Sequence, residues 1–354
     1  MVYLFAKRLT GHIPASALAC TLFAFDFMHL AQTRIATIDV YITFFVILMY
    51  YFMYCYCKLS FYDTPLKKMF LPLGACGICM GLGIASKWTG VYAGAGLAVL
   101  FFTAMYRRYQ EYRYAQADPE GESAGIPHSR ILERFLPCAG KTILFCLCFF
   151  VLIPALIYLL SYLPFRDYTD DSLLGRMLRN QATMFNYHST LDATHPYSSP
   201  WYQWPIIARP IWYFSGQPGG TLREGISAFG NPLVWWAGIP AFLYMLWRCA
   251  KERDRTAAFL SIGYLAQYLP WVFVTRITFI YHYFPSVVFV VLMIVHSLMG
   301  WRKKPRFLLF LVVYGVAVFG LFLMFYPVLT GQPVEADYVT RWLRWFDSWV
   351  LTAK

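Results

Sequence analysis

The chain predicts an all-α polytopic membrane protein, a bundle of about nine transmembrane helices with one long outer loop. Three observations carry this. Hydrophobic residues make up 59% of the 354 and charged residues only 14%, a balance too apolar for a soluble domain of ordinary make-up. Nine runs reach the ~17–23 apolar residues that a helix needs to cross roughly 30 Å of hydrocarbon. Basic residues gather on one side of those runs.

The spans read, in order, 13–31, 40–57, 69–86, 88–106, 142–163, 231–248, 256–274, 279–299 and 307–329. With Lys7 and Arg8 placed inside, 19 of the 30 Lys and Arg fall in inner loops, as the positive-inside rule requires. The inner clusters are dense: Lys67 and Lys68, Arg107 and Arg108, the 248–255 group, and the 302–306 group. Short outer turns carry single cations, Arg34, Lys87 and Arg276. The net charge of +12 thus reports topology. A nucleic-acid partner would need a basic face on a water-exposed domain, and the sequence offers no such domain. Six of nine cysteines lie inside spans, which argues against a disulfide framework.

Three parts follow: an N-terminal membrane region at 1–163, an outer aromatic loop at 164–230, and C-terminal helices with an interfacial tail at 231–354. Residues 107–141, mixed in charge with Pro and Gly, read as a solvated linker. The 67-residue loop is too long for a connection and too aromatic for disorder. Trp342, Trp345, Phe346 and Trp349 recur at helical spacing and predict an amphipathic helix in the outer interface. Gly74, Gly77, Gly81 and Gly83 give one span a small face for close packing.

Candidate chemistry concentrates on the outer side. The run DFMHLAQTRIATID places Asp26 near the outer end of its span, Arg34 in the turn and Asp39 at the start of the next helix. An arginine positioned by carboxylates makes an anion clamp, and an internal ion pair that fixes helix ends explains the spacing equally well. Lys87 in SKWTG, and Arg276 with His282 in TRITFIYHYFP, add cations and an imidazole. These could converge on one anionic headgroup or stay separately solvated. In the long loop His195, Tyr197, Trp201 and Trp204 offer hydrogen bonds and aromatic faces for a sugar, although Trp and Tyr also form interfacial belts without a ligand. Asp170 and Asp171 are adjacent rather than spaced as a DxD motif, and no metal site is expected.

The runs FAKRLTG, DFMHLAQTRIATIDVYITFF, GIASKWTG, HPYSSPWYQWP and RITFIYHYFP resemble the bacterial protein O-mannosyltransferases, polyprenyl-phosphate-mannose-dependent enzymes of the GT-C glycosyltransferase class. The resemblance runs through essentially the whole chain, and the part over roughly 170–354 looks like that family's C-terminal four-span module. It implies a GT-C-like bundle in the cell membrane, with its active face outside, that moves mannose from a lipid-phosphate carrier to Ser or Thr of an acceptor protein by inversion. No metal or other cofactor is implied; the lipid-linked sugar is a substrate. Carried over by position, Arg34, Lys87, Arg276 and His282 would hold the donor phosphate. His195, Tyr197, Trp201 and Trp204 would meet sugar or acceptor, and Asp26 and Asp39 would be supporting carboxylates.

The family carries two further spans and an Asp-Glu loop ahead of the region matched here, and no Asp-Glu dipeptide occurs in this sequence. The expectation is therefore a truncated, catalytically impaired form without an assigned catalytic base, since transfer to a hydroxyl needs a proton acceptor. Two alternatives stand beside it. One is a non-catalytic subunit that binds the lipid carrier and dimerises with a complete transferase. The other is a lipid-linked sugar transporter, which would need a polar path through the inner half of the bundle.

Overall fold

The computed structural model describes residues 1–35, 37–165 and 172–353; Asp170 and Asp171 lie outside them. Among these residues seven helices are long and apolar enough to cross a membrane, or eight if one bent pair counts as a span. The chain is a multi-span helical membrane protein, and its residues form two compact units: 1–43 with 188–354, and 44–187.

In the 44–187 unit, the greater part of helix α4 (Asp39–Cys57), whose first turn belongs to the other unit, is followed by α5 (Leu66–Ser86), α6 (Gly90–Ala117), a two-stranded hairpin β1 (Glu122–Ser123) and β2 (Ile126–Pro127), α7 (His128–Leu147), and α8 (Ile153–Leu160). A π-helical turn at Cys148–Leu152 joins α7 to α8, and α9 (Leu173–Thr190) completes the set. The glycines of α5 pack as expected. A Cβ on Gly77 would fall 2.1 Å from the Phe149 carbonyl oxygen, and one on Gly81 2.9 Å from the Pro154 backbone, so only glycine lets the helices touch there. The 107–141 segment corrects the linker expectation, because α6 runs on to Ala117 and α7 begins at His128. Its Arg108 is buried, over the rings of Tyr56 and Phe61 and donating to the Tyr56 hydroxyl at 2.5 Å. Cation–π and hydrogen-bond partners are what allow a guanidinium to leave water.

The other unit holds α1 (Val2–Thr10), α2 (Ile13–Ala24) and α3 (Phe27–Arg34), then β3 (Ile211–Gly219) and β4 (Leu222–Ala228). It continues with α10 (Pro232–Glu252), α11 (Arg255–Tyr268), α12 (Phe284–Leu298) and α13 (Phe307–Thr330), and closes with β5 (Val334–Glu335) and α14 (Ala336–Tyr338). The core is α12, buried without interruption from Phe284 to Val295 and packed by α2, α10 and α11.

Four features depart from the sequence reading. The span at 13–31 is bent by 54°, because Asp26 caps α3 and takes the His29 N–H at 3.3 Å, a local bond that competes with helix continuation. The segment 256–274 is a 14-residue α-helix ending in a 3₁₀ turn that contains Pro270. At 1.5 Å per residue α11 is only roughly 21 Å long, short of the hydrocarbon thickness. The long loop contributes α9 and the antiparallel strands β3 and β4, to which β5 from the C-terminal part adds as a third in the order β3-β4-β5. Finally, the C-terminal aromatics do not form the expected amphipathic helix: helical structure ends at Leu343, and Trp349 is fully buried. Its indole donates to the Ile207 carbonyl at 2.8 Å and its ring meets Phe229, Phe325 and Trp345. Burying that ring outweighs keeping a helical stripe at the interface.

Candidate functional site

In the unit of residues 1–43 and 188–354, the bend at Asp26 sets up the turn that carries Arg34 and Asp39. Asp26 is fully enclosed; besides capping α3 it accepts the Asn231 backbone N–H at 3.0 Å. Asn231 caps α10 and donates from its side chain to the carbonyls of Phe25 and Val318 at 3.1 and 3.2 Å. The carboxylate thus joins α3 to the start of α10.

Gln32, also fully buried, is the next fixed point. It donates to the Tyr213 hydroxyl at 2.8 Å and accepts from the Thr37 hydroxyl at 2.5 Å. Arg34 ends α3 with its side chain exposed, and Asp39 opens α4 with its side chain buried. Tyr213 reaches Gln32 because β3 bulges against β4: Trp212 pairs with Ser227 and Phe214 with Ile226, leaving Tyr213 as the extra residue. A bulge re-aims a side chain that regular pairing would point elsewhere.

The 195–204 strip docks on the 276–283 turn through backbone and side chain. Ser199 N–H donates to the Thr278 carbonyl and the Thr278 hydroxyl to the Ser199 carbonyl, both at 2.9 Å. Above this seam the rings make a chain. Trp212 meets Tyr197 at 5.7 Å, Tyr197 meets His195 at 5.8 Å, His195 meets Phe279 edge-on at 5.2 Å, and Phe279 stacks on Tyr281 at 5.6 Å.

Arg276 lies at one end of that chain, where it and Asp39 both act electrostatically on Tyr281. Burial raises the Tyr213 phenol above its ordinary range, the Gln32 hydrogen bond works against this, and nearby Tyr281 and Asp39 add to it. Burial likewise raises Tyr197. His188 is held below its usual pKa by burial and by the positive charge of Arg276. These phenols keep their protons at neutral pH and can donate hydrogen bonds beside a fixed cation.

Asp39 and Arg276 both exert their charge on Tyr281, and His195 and Tyr197 lie along the aromatic chain that ends there. The structure removes two expected ligand contacts. Trp204 is completely buried, stacked on His282 at 6.0 Å and edge-on to Trp271 at 5.6 Å, with its indole bonded to the Ser199 carbonyl at 3.0 Å. His282 is enclosed with it, its Nδ1 on the Phe279 backbone. Both faces of Trp204 are committed, so it supports the strip from beneath. Trp201 is half-buried, edge-on to Tyr268.

Lys87 belongs to the other unit, where it ends α5 beside Trp88. There Trp88 donates to the Tyr158 hydroxyl at 2.9 Å, and Gln181 donates to Tyr158 and Tyr162 at 2.6 and 2.8 Å. Sequence reading missed this cluster, along with Gln32, Tyr213 and Asn231. Only Asn231 carried a local signal, an Asn directly before the Pro that opens a helix. Among the described residues no three His, Cys, Asp or Glu side chains gather as a metal ion would need.

Comparison with known proteins gives this geometry a context. Residues 173–349 match the model of the C-terminal four TMM region of protein-O-mannosyltransferase, and residues 1–168 match that of dolichyl-phosphate-mannose-protein mannosyltransferase. The chain is similar to polyprenol-phosphate-mannose–protein mannosyltransferases of Corynebacterium glutamicum, 25% identical over 97% of this chain and 73% of that protein, and of Mycolicibacterium smegmatis, 27% identical over 97% and 73%. Its fold is similar to a solved chain of the Saccharomyces cerevisiae protein O-mannosyltransferase Pmt1-Pmt2 complex bound to the sugar donor. That match has a TM-score of 0.77 and 12% identity, and covers 99% of this chain and 78% of that one.

Proposed function

We propose that this chain, which belongs to the protein O-mannosyltransferase family, serves the transfer of mannose from a polyprenyl-phosphate carrier to Ser or Thr hydroxyls of proteins, at the outer face of the cell membrane. The observation that carries the site assignment is the aromatic chain through Tyr197, His195, Phe279 and Tyr281, with Arg276 in the same outer turn as Phe279 and Tyr281.

The chemistry explains why such a cluster is useful. As the acceptor hydroxyl attacks the anomeric carbon it gives up its proton to a general base, a role assigned to none of the residues named here, the bond from that carbon to the phosphate oxygen breaks, and the departing polyprenyl phosphate gains a negative charge. A cation fixed before the reaction stabilises that charge most where water is excluded. In this reading Arg276 and the exposed Arg34 hold the phosphate, and Asp39 keeps Arg276 and Tyr281 in place as a supporting carboxylate. Asp26 supports from within by fixing the bend. Tyr197, His195 and the half-buried Trp201 face sugar or acceptor. For Lys87 the proposal is confined to its own unit, as a cation at the end of α5 within reach of lipid phosphates. A dimer, as in the yeast complex, is part of the proposal.

The test uses the purified chain in lipid nanodiscs with radiolabelled polyprenyl-phosphate-mannose and a Ser/Thr-rich peptide. Retention of donor and labelling of the peptide support the reading; retention without labelling overturns transfer and leaves the catalytically impaired, carrier-binding form, and a chain that does neither overturns both. Arg276→Ala is expected to weaken donor retention tenfold or more, because a charge-assisted hydrogen bond contributes about 1.5–3 kcal/mol. Unchanged retention removes Arg276 from the phosphate site.

A further inference from the structure

In the 44–187 unit, α9 has its sides sorted in a way its hydrogen bonds make readable. Successive residues of a helix turn by about 100°. Leu174, Leu178 and Phe185 therefore fall within about 40° of one another, and they are 52%, 56% and 65% exposed. Gln181 falls about 20° from Leu174, at the edge of the stripe, and Asn180 about 100° beyond it, and these two dock α9 on α8. Asn180 donates to the Tyr162 hydroxyl at 2.8 Å, and Gln181 donates to Tyr158 and Tyr162 at 2.6 and 2.8 Å. On the side away from the apolar stripe stand Arg179 and Thr183, both exposed.

The docking contacts also set the level of the helix. Tyr158 and Tyr162 straddle the end of α8, within a turn of where the His128–Leu160 span stops. Only 6% of the apolar window of that span is buried by protein, which leaves most of it open to meet lipid. Leu156, Leu160, Leu163 and Phe165 continue this exposed apolar surface to the point where α9 attaches.

From this continuity we propose that α9 is an interfacial helix that seats Leu174, Leu178 and Phe185 in the leaflet at the Leu160 end of the bundle, with Arg179 and Thr183 facing water. An amphipathic helix held in this way lies in the headgroup plane with its apolar face among the acyl chains. The occupant of the stripe is thus lipid. The Tyr158–Tyr162–Asn180–Gln181 cluster is the bracket that keeps the helix flat on the membrane, satisfying amide and phenol groups that the leaflet could not. This places the entry to the long loop at the depth of lipid headgroups, and it does not depend on the mannosyltransferase reading.

The experiment places a genetically encoded nitroxide side chain at position 178, 179, 183 or 185 of the full chain, reconstituted in phosphatidylglycerol–phosphatidylethanolamine vesicles. Collision with oxygen, which concentrates in lipid, is compared with collision with a water-soluble nickel chelate. The expected result is a several-fold higher oxygen-to-nickel ratio at 178 and 185 than at 179 and 183. Equal nickel access at all four positions would overturn the proposal in favour of a solvated loop helix. Exclusion of both reagents at 178 and 185 would overturn it in favour of a protein partner or a second copy covering the stripe. A second measurement reads the label at 174 in the Leu178→Glu, Phe185→Glu variant, where nickel access should rise several-fold. Should that variant fail to fold, the four-position comparison still decides.

Discussion

Asp26 and Asp254 each cap a helix and tie it to a neighbour, but with opposite kinds of partner. Asp26, at the α2–α3 bend, is completely buried and accepts from two backbone N–H groups, those of His29 and Asn231. Asp254 caps α11 in the turn after α10, accepting from the N–H groups of Thr256 and Ala257 at 2.8 and 3.1 Å. It also pairs with Arg248 at 2.9 Å and His296 at 3.0 Å, linking α10, α11 and α12. Among packed apolar helices the carboxylate draws on amide dipoles that are already in place. Near water it draws on side chains that bring charge and keep part of their hydration. A cap enclosed by packed helices is therefore a matter of acceptor geometry, and one nearer water is a matter of charge.

The largest expected effect comes from breaking the buried member. Asp26→Ala removes a helix cap and orphans the Asn231 N–H, and should cost about 2–4 kcal/mol, read as a lower unfolding midpoint in detergent. Asp26→Asn sharpens the point: the two carboxylate oxygens accept from different N–H groups and an amide can accept from only one of them, so a loss between none and that of alanine is expected, and a near-parental midpoint would show that one acceptor suffices. Tyr213→Phe comes next. It leaves the buried Gln32 amide without its phenol partner, at a cost of about 1–2 kcal/mol. If Gln32 positions the Arg34 turn, it should also weaken donor retention more than it changes the unfolding midpoint.

The smallest effect is at the wet end, where Asp254→Asn should cost about 1 kcal/mol or less at neutral pH, since Asn still caps. Its signature is pH. The hydrogen bond from His296 holds the Asp254 carboxyl well below its ordinary value of 3.8. The stabilisation is then complete above that value and is lost as pH falls through the lowered folded pKa. Wild type should lose midpoint on acidification below about pH 4, and Asp254→Asn should show a shallower loss. Identical acid limbs would mean that the charge does not stabilise the fold.

Much of the helical fold was legible because spans are long and uniformly apolar, a signal that survives whatever packs around them. The bend at Asp26, the short α11 and the buried Trp349 were less legible. Each turns on which groups happen to lie opposite: an Asn231 amide, a proline-bearing 3₁₀ turn, an Ile207 carbonyl. At the candidate site, composition picked out the 195–204 strip and the 276–282 turn as aromatic and polar. It could not say that Trp204 and His282 spend their faces on each other while Tyr197 and His195 stay accessible. Tyr213 was invisible because a bulge, not a motif, aims it at Gln32.

By itself the amino-acid sequence determined that this is a multi-span helical membrane protein, that its basic loops lie to one side, and which family its motifs resemble. Local hydropathy, charge asymmetry and residue order are properties of the chain before it folds. Only the tertiary structure decided which polar groups meet and which are spent on packing. Those pairings join residues up to about two hundred positions apart, such as Asp26 with Asn231 and Gln32 with Tyr213, and their outcome rests on burial and a few ångströms of geometry that no local pattern encodes.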